Sequence, residues 1–277
     1  MNRIWLVTGI SSGLGKALAE EVMKQGDFVV GTFRKQQQTD DFNSLHKEKG
    51  FAITLDIANP DQVEKAFELV SEKFGRLDVL VNNAGYGFAG AIEETSLSET
   101  KSIFETNFFG PLHLTQTFLP LFRKQKSGRI FQISSHGGFK AFAGFGIYNA
   151  SKFALEGFSE ALAQEVAPLG IQVTIVEPGP FRTNFASNGF QLAEKKIDEY
   201  NPTAGVFREK IKAVDGKQEG DPVKAARAIY EISKLENPPL RLPLGKIAVI
   251  SIMTKLENVK TDLDAFRQIA ESTVHRA

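Results

Sequence analysis

The sequence predicts an α/β fold: a doubly wound parallel sheet with helices on both faces. Three observations point to it. Short β-rich runs alternate with longer segments of helical spacing, as in successive βαβ units. The short runs are continuously apolar, which suits strands covered on both sides. A glycine-rich turn joins the first run to the first helical segment.

Taken in order, strands are expected over 4–8, 28–32, 52–55, 77–81, 129–133 and 172–176. The first feeds a segment in which Leu14, Leu18, Val22 and Met23 share a helical face. After the third, Asn59-Pro60-Asp61 supplies a cap and an early helical proline before Val63, Ala66, Phe67 and Val70. Gly75 then follows Phe74 as a stop. Asp221-Pro222 repeats the start signal before a helix over 223–235. The region 186–220 is polar-rich but carries Phe190, Ile197, Tyr200, Val206, Phe207 and Ile211. It is too apolar for a linker and is expected to be a helical insertion that folds over a site. An extension over 238–277 opens Pro238-Pro239-Leu240-Arg241-Leu242-Pro243 and ends amphipathic over 252–269. No composition break divides the chain, so residues 1–277 are expected to form one domain.

Composition narrows the function. The chain has 277 residues, enough for a sizeable core. Thirty-three Lys and Arg balance 33 Asp and Glu, which argues against a nucleic-acid or anionic-membrane partner held by bulk charge. There is no cysteine, so disulfides, thiolate metal sites and a thiol nucleophile are excluded. His46, His113, His136 and His275 are scattered without ligand spacing, and no metal site is expected. No apolar run approaches the ~20 residues of a membrane span, and the apolar start at 4–7 is too short for a signal peptide. A soluble, cytoplasmic protein is the expectation.

The turn reads Gly9-Ile10-Ser11-Ser12-Gly13-Leu14-Gly15. Glycines at 9, 13 and 15 allow a tight turn and close approach to a ligand. A helix N-terminus beside them suits a pyrophosphate, and the position after a first strand suits a dinucleotide. The second strand ends Thr32-Phe33-Arg34-Lys35. No carboxylate stands there to meet a ribose 2′-hydroxyl, whereas Arg34 can bind a 2′-phosphate. NADP(H) is therefore preferred over NAD(H). Further on, Tyr148 and Lys152 stand four apart at the head of a helical run. They share a face, and a nearby ammonium is expected to bring the phenol toward general acid–base use.

With these residues the chain resembles the short-chain dehydrogenase/reductase family. Its motifs fall in the family's order: Thr8-Gly9-x-x-x-Gly13-x-Gly15, Asn82-Asn83-Ala84-Gly85, Asn107, Ser134-Ser135, Tyr148-x-x-x-Lys152 and Pro178-Gly179. Ser135 precedes Tyr148 by 13 residues, the usual family offset. The later part is similar, more loosely, to a bacterial group like the 17β-hydroxysteroid dehydrogenases. The resemblance implies a Rossmann-like fold and a role for each matched position. Tyr148 would donate a proton to a carbonyl oxygen as NADPH delivers hydride. Ser135 would bond the same oxygen. Lys152 would hold the nicotinamide ribose and tune Tyr148, and Asn107 would fix a water in a proton relay. Ser11, Ser12 and Leu14 with the three glycines, Asp56 with Ile57, Asn83, Ala84 and Gly85, and Pro178 and Gly179 would line the cofactor. Thr183 would bond its carboxamide, and Asn82 would brace the sheet. Ser11 stands where some NADP-dependent members carry a basic residue, so the NADP preference rests on Arg34.

Phenylalanine is abundant, 23 of 277 residues. Phe142 and Phe145 lie between Ser135 and Tyr148, and Phe181 and Phe185 follow Pro178-Gly179. Such an apolar lining suits a small hydrophobic ketone or alcohol. The expected activity is an NADPH-dependent carbonyl reductase or secondary-alcohol dehydrogenase. Two alternatives stand beside it. One is a 3-oxoacyl-carrier-protein reductase docking through Arg123, Lys124, Lys126 and Arg129. The other is a non-catalytic NADP-binding redox sensor. A homodimer or homotetramer accords with the family.

Overall fold

The computed structural model describes residues 2–186 and 189–275. Ser187 and Asn188 of the expected insertion, and Met1, Arg276 and Ala277 at the ends of the expected domain, lie outside the described residues. In the first half, β1 (Ile4–Val7), β2 (Phe28–Phe33) and β3 (Gly50–Thr54) alternate with α1 (Gly13–Lys24), α2 (Gln36–Leu45) and α3 (Pro60–Phe74). Next come β4 (Val79–Asn82), the short β5 (Gly87–Ala89), α4 (Leu97–Phe104), a π-helical turn at Glu105–Phe109, and α5 (Gly110–Gln125). β6 (Gly128–Ile133), α6 (Gly146–Val166) and β7 (Ile171–Pro178) follow. The chain finishes with β8 (Phe190–Leu192), α7 (Val206–Ala213), α8 (Pro222–Ile232), β9 (Arg241–Leu244) and α9 (Lys246–Glu271).

The main sheet has seven parallel strands in the order β3-β2-β1-β4-β6-β7-β9. The chain reverses its winding between β1 and β4. That switch point opens a crevice beyond the strand C-termini, where α/β sheets bind ligands. Both faces are covered, as the continuous apolar runs require. Trp5, Val7, Val29 and Phe131 point toward α1 and α8, where Leu18, Val22 and Ile229 meet them. Leu6, Val30, Leu80 and Ile130 point the other way, onto Val63, Phe118, Phe122 and Leu162. The start and stop signals act as expected. Asn59 accepts from Gln62 N at 3.2 Å, Gly75 takes φ 65°, and Asp221 accepts from Val223 N at 2.9 Å.

All six expected strands are present in the main sheet, and the structure adds a seventh to it, β9. Pro243 lies within it opposite Glu177. Proline cannot donate to a ladder, so it is tolerated in β9 only because that strand is an edge. The insertion, expected to be helical, also contains a strand. Its first segment, β8, pairs with β5 in a separate two-stranded sheet, and α7 follows. Two π- and 3-10 turns fill the stretch between. α9 is 26 residues long, and its base buries Ala248, Ser251 and Ile252. Beyond that base, every described residue from 256 to 275 is exposed, including Leu256, Val259, Leu263 and Phe266. Among the described residues no helix is long and apolar enough to cross a membrane.

Candidate active site

The glycine turn is clamped to the end of β4. Gly9 and Gly13 take φ of 70° and 61°, a region that side chains rarely adopt. Gly15 is required by packing, since a Cβ there would fall 2.3 Å from Asn83 Nδ2. Asn83 Nδ2 donates to the carbonyls of Thr8 at 2.8 Å and Gly9 at 3.1 Å. Thr8 Oγ1 accepts from the backbone N–H of Asn83 and Ala84, and Thr32 Oγ1 accepts from Gly9 N. Asn82 braces the sheet behind, donating to Thr115 Oγ1 and Gln132 Oε1, both at 3.0 Å.

The N-terminus of α1 is open. Its cap residue, Ser12, makes no side-chain cap bond, and no acid stands in the first turn. Exposed Ser11 and Ser12 flank these N–H groups, and Leu14 packs inward against the core. Thr183 reaches across from beyond β7: a Cβ on Gly13 would lie 3.4 Å from Thr183 Cβ. Arg34 is exposed at the end of β2 and has no hydrogen-bond or ion-pair partner among the described residues. Asp56 turns one oxygen to Ala58 N at 3.0 Å, and Ile57 is buried against Gly110 at the head of α5. Pro178 closes β7, and Gly179 N donates to Leu244 O at 2.9 Å. A pyrophosphate and a 2′-phosphate thus have unpaired donors of the right chemistry here.

Asn107, Ser135, Tyr148 and Lys152 converge beside this crevice. Asn107 sits in the π-helical turn between α4 and α5, a backbone irregularity common at functional sites. Its side chain is fully engaged, accepting from Tyr86 N at 3.1 Å and donating to Tyr86 O and Ser151 Oγ. Ser135 Oγ accepts from Gly137 N at 3.0 Å, starting a 3-10 turn. Lys152 Nζ donates to Ile133 O at 2.8 Å. Gly85 lies between these groups, since a Cβ there would fall 3.0 Å from Asn107 Oδ1 and 3.6 Å from Lys152 Nζ.

Burial dominates the electrostatics. It pushes the Tyr148 phenol up to about 12, opposed by a hydrogen bond from Ser135. It pulls the Lys152 ammonium down to about 8, opposed by the charge of Glu156. The expected lowering of Tyr148 by Lys152 is therefore corrected. The phenol is desolvated in an aromatic enclosure, and it holds its proton at neutral pH. His136 is pulled down to about 4, first by burial and then by Lys140.

Above Tyr148 stands a wall of rings. Phe145 stacks on it, Phe185 meets it edge-on at 6.1 Å, and Phe190 and Phe207 pack onto Phe145. Phe142 leans on His136 at 5.2 Å. Phe181 is not brought into this group: it pairs with Gly220 and packs against the α1/α8 side of the core.

Three elements of the site were not singled out from the sequence. Asn149 clamps the segment after Ser135 to α6, donating to Gly137 O and accepting from Phe142 N. Glu94 is buried before α4 and pins the insertion, accepting from Ile197 N at 3.0 Å and from Arg208 at 2.6 Å. Glu156 sits one turn beyond Lys152, bonded to Arg241. The four-residue spacing that marks Tyr148 and Lys152 extends to Glu156. Its partner on β9 is 85 residues away and carries no local signal.

Known proteins share this fold. A family model described as short chain dehydrogenase matches residues 3–192. The chain is 40% identical over 250 residues to Oxidoreductase BOA17 of Botryotinia fuckeliana, covering 90% of this chain and 91% of that one. It is 37% identical over 250 residues to a 3-ketodihydrosphingosine reductase of Bacteroides thetaiotaomicron, covering 90% of each. Among solved structures, a short-chain dehydrogenase from Streptomyces avermitilis superposes with a TM-score of 0.93 at 41% identity, covering 99% of both chains. A short chain dehydrogenase/reductase from Burkholderia phymatum, in complex with NAD, shares the fold at 20% identity and a TM-score of 0.81, covering 94% of this chain and 95% of that one. ElxO with NADP bound shares it at 27% and 0.73, covering 88% and 97%.

Proposed function

The chain belongs to the short chain dehydrogenase family, and from that premise we propose that it is an NADPH-dependent carbonyl reductase acting reversibly on hydrophobic ketones and secondary alcohols. The observation that carries this reading is the buried Tyr148 set under an aromatic wall beside Ser135 and Lys152. A phenol within reach of a carbonyl oxygen can serve as its general acid. Ser135 orients the carbonyl oxygen and shares its developing charge. Lys152 would hold the nicotinamide ribose. Asn107, with its side chain fixed by Tyr86, holds the relay that reloads it. NADPH, when bound, supplies the hydride.

The open N-terminus of α1 with Gly9, Ser11, Ser12, Gly13 and Gly15 would hold the pyrophosphate, and Arg34 the 2′-phosphate. Asp56, Ile57, Asn83, Ala84 and Gly85 would border the adenosine side, and Pro178, Gly179 and Thr183 the nicotinamide. Phe142, Phe145 and Phe185 would line the substrate, with Phe190 and Phe207 behind them. Phe181 would stand outside that lining. Residues 1–277 would act as one domain in the cytoplasm, as a homodimer or homotetramer, and the exposed apolar stripe of α9 is a surface that a second copy could cover.

The carrier-protein alternative is less well supported. Arg129 of the proposed docking cluster is already spent on the Leu235 carbonyl. A non-catalytic sensor would have no use for Tyr148 and Lys152 as arranged. The test is loss of NADPH absorbance with a panel of aromatic, aliphatic and steroidal ketones. Turnover ranked by apolar bulk supports the reading. Tight NADPH binding with no turnover on any of them would favour the sensor.

A further inference from the structure

The polar stripe of α6 continues past Lys152. Tyr148, Lys152, Glu156 and Glu160 follow at intervals of four and lie along one helix face. Glu156 is only 3% exposed. Ser134 Oγ donates to its Oε1 at 2.6 Å, and Arg241 donates to its Oε2. The same guanidinium reaches Glu177 on β7 and Glu160 on α6, and its Cζ lies 5.0 Å over the Phe139 ring. Gly138 makes the room, because a Cβ there would fall 2.7 Å from Glu156 Oε1. Glu156 therefore touches the segment on both sides of Ser135 and lies one turn from Lys152.

We propose that Glu156, held in place by Arg241 of the C-terminal strand, is a positioning residue for Lys152: its carboxylate is the fixed counter-charge that keeps the buried ammonium protonated in the working site. The inference rests on the reading of Lys152 given above. An ammonium that is 5% exposed needs a compensating charge. The groups around it are few. Tyr148 lies a turn before it, neutral at working pH. Asn107 and Gly85 face it from across the crevice, both uncharged, and Ile133 offers a carbonyl. Glu156 is the nearest acid on its own helix, with Arg241, Glu177 and Glu160 behind it on β9, β7 and α6.

Two buried carboxylates beside one guanidinium cannot both stay ionised at low cost. Glu177 is the one that yields. Its Oε2 has no partner among the described residues, and burial together with the charge of Glu156 holds it well above the usual carboxylate range. Glu156, bonded by both Ser134 and Arg241, is the carboxyl fixed one helical turn from Lys152. The edge strand β9, which the sequence did not reveal, thereby acts on the catalytic centre through a single arginine.

The test compares wild type, Glu156→Gln, Glu156→Asp and Arg241→Gln. NADPH affinity is measured by nicotinamide fluorescence from pH 6 to 10, alongside thermal unfolding. This readout needs no substrate, so it is independent of whether the reductase reading holds. Loss of affinity at alkaline pH should begin about one pH unit lower in Glu156→Gln than in wild type. Glu156→Asp should restore most of the difference, and Arg241→Gln should shift the limb the same way. If NADPH affinity keeps the wild-type pH profile while only the melting temperature falls, Glu156 is a structural residue and the proposal fails. If Glu156→Gln does not fold, an unshifted profile in Arg241→Gln has the same meaning.

Discussion

Phe145 stacks flat on Tyr148, with ring centroids 4.1 Å apart and planes within 16°. One face of the phenol is thereby sealed from water, and its proton is held far above neutral pH. The phenol is consequently protonated at neutral pH. Reduction should run at a constant kcat/KM through neutral pH. It should then decline as Lys152, held at about 8, loses its proton. Alcohol oxidation must return a proton to Tyr148 and should instead rise with pH. Profiles measured in both directions check this, and a reduction rate that climbs with pH would contradict it.

Arg34 is exposed at the end of β2, without a partner among the described residues. Arg34→Ala should weaken NADPH by about 10–100-fold, the range of a lost charge-assisted bond. NADH binding should change little, and Arg34→Asp should reverse the preference. Titration of both nicotinamides against each variant reads this directly. Equal losses for the two would remove Arg34 from the phosphate site.

His136 ties stability to pH. Its ordinary value is 6.5, and in the fold it is held at about 4, chiefly by burial. Between these values the unfolded chain binds the proton and the folded chain does not. Stability therefore falls as pH drops from 6.5 through 4, by up to about 3 kcal/mol, the whole of it lost below the folded value. Urea unfolding of wild type and His136→Asn over this window should differ by that slope. Parallel curves would mean that His136 is not what titrates.

Arg208 and Glu94 form a buried pair at 2.6 Å that fastens the insertion to the segment before α4. Arg208→Met removes the counter-ion of buried Glu94 and leaves it only the backbone N–H groups of Ala91 and Ile197, at a cost of about 3–5 kcal/mol. Because Phe190 and Phe207 are carried by the same insertion, the substrate KM should rise more than the cofactor Kd. Denaturant unfolding and steady-state kinetics together test this.

Most of the sheet was legible because its strands are buried on both faces and so read as unbroken apolar runs. Tyr148 and Lys152 were legible because a helix places residues four apart on one face. The rest depended on tertiary contacts. β9 contains Pro243 and reads as a proline-rich loop until an edge beside β7 receives it. β8 is three residues long and gains its identity only by pairing with β5. Phe181 and Phe185 look alike four residues apart, yet one meets Gly220 on the far side and the other meets Tyr148. The Tyr148 phenol departs from its local expectation for the same reason: its spacing to Lys152 is local, whereas its burial is not.

The most direct measurement is Tyr148→Phe, assayed for NADPH oxidation with the best ketone and for NADPH binding by fluorescence. Turnover should fall by at least about 10²–10⁴-fold, the range of a lost general acid, with binding nearly unchanged. Retained turnover in that variant would contradict Tyr148 as the proton donor.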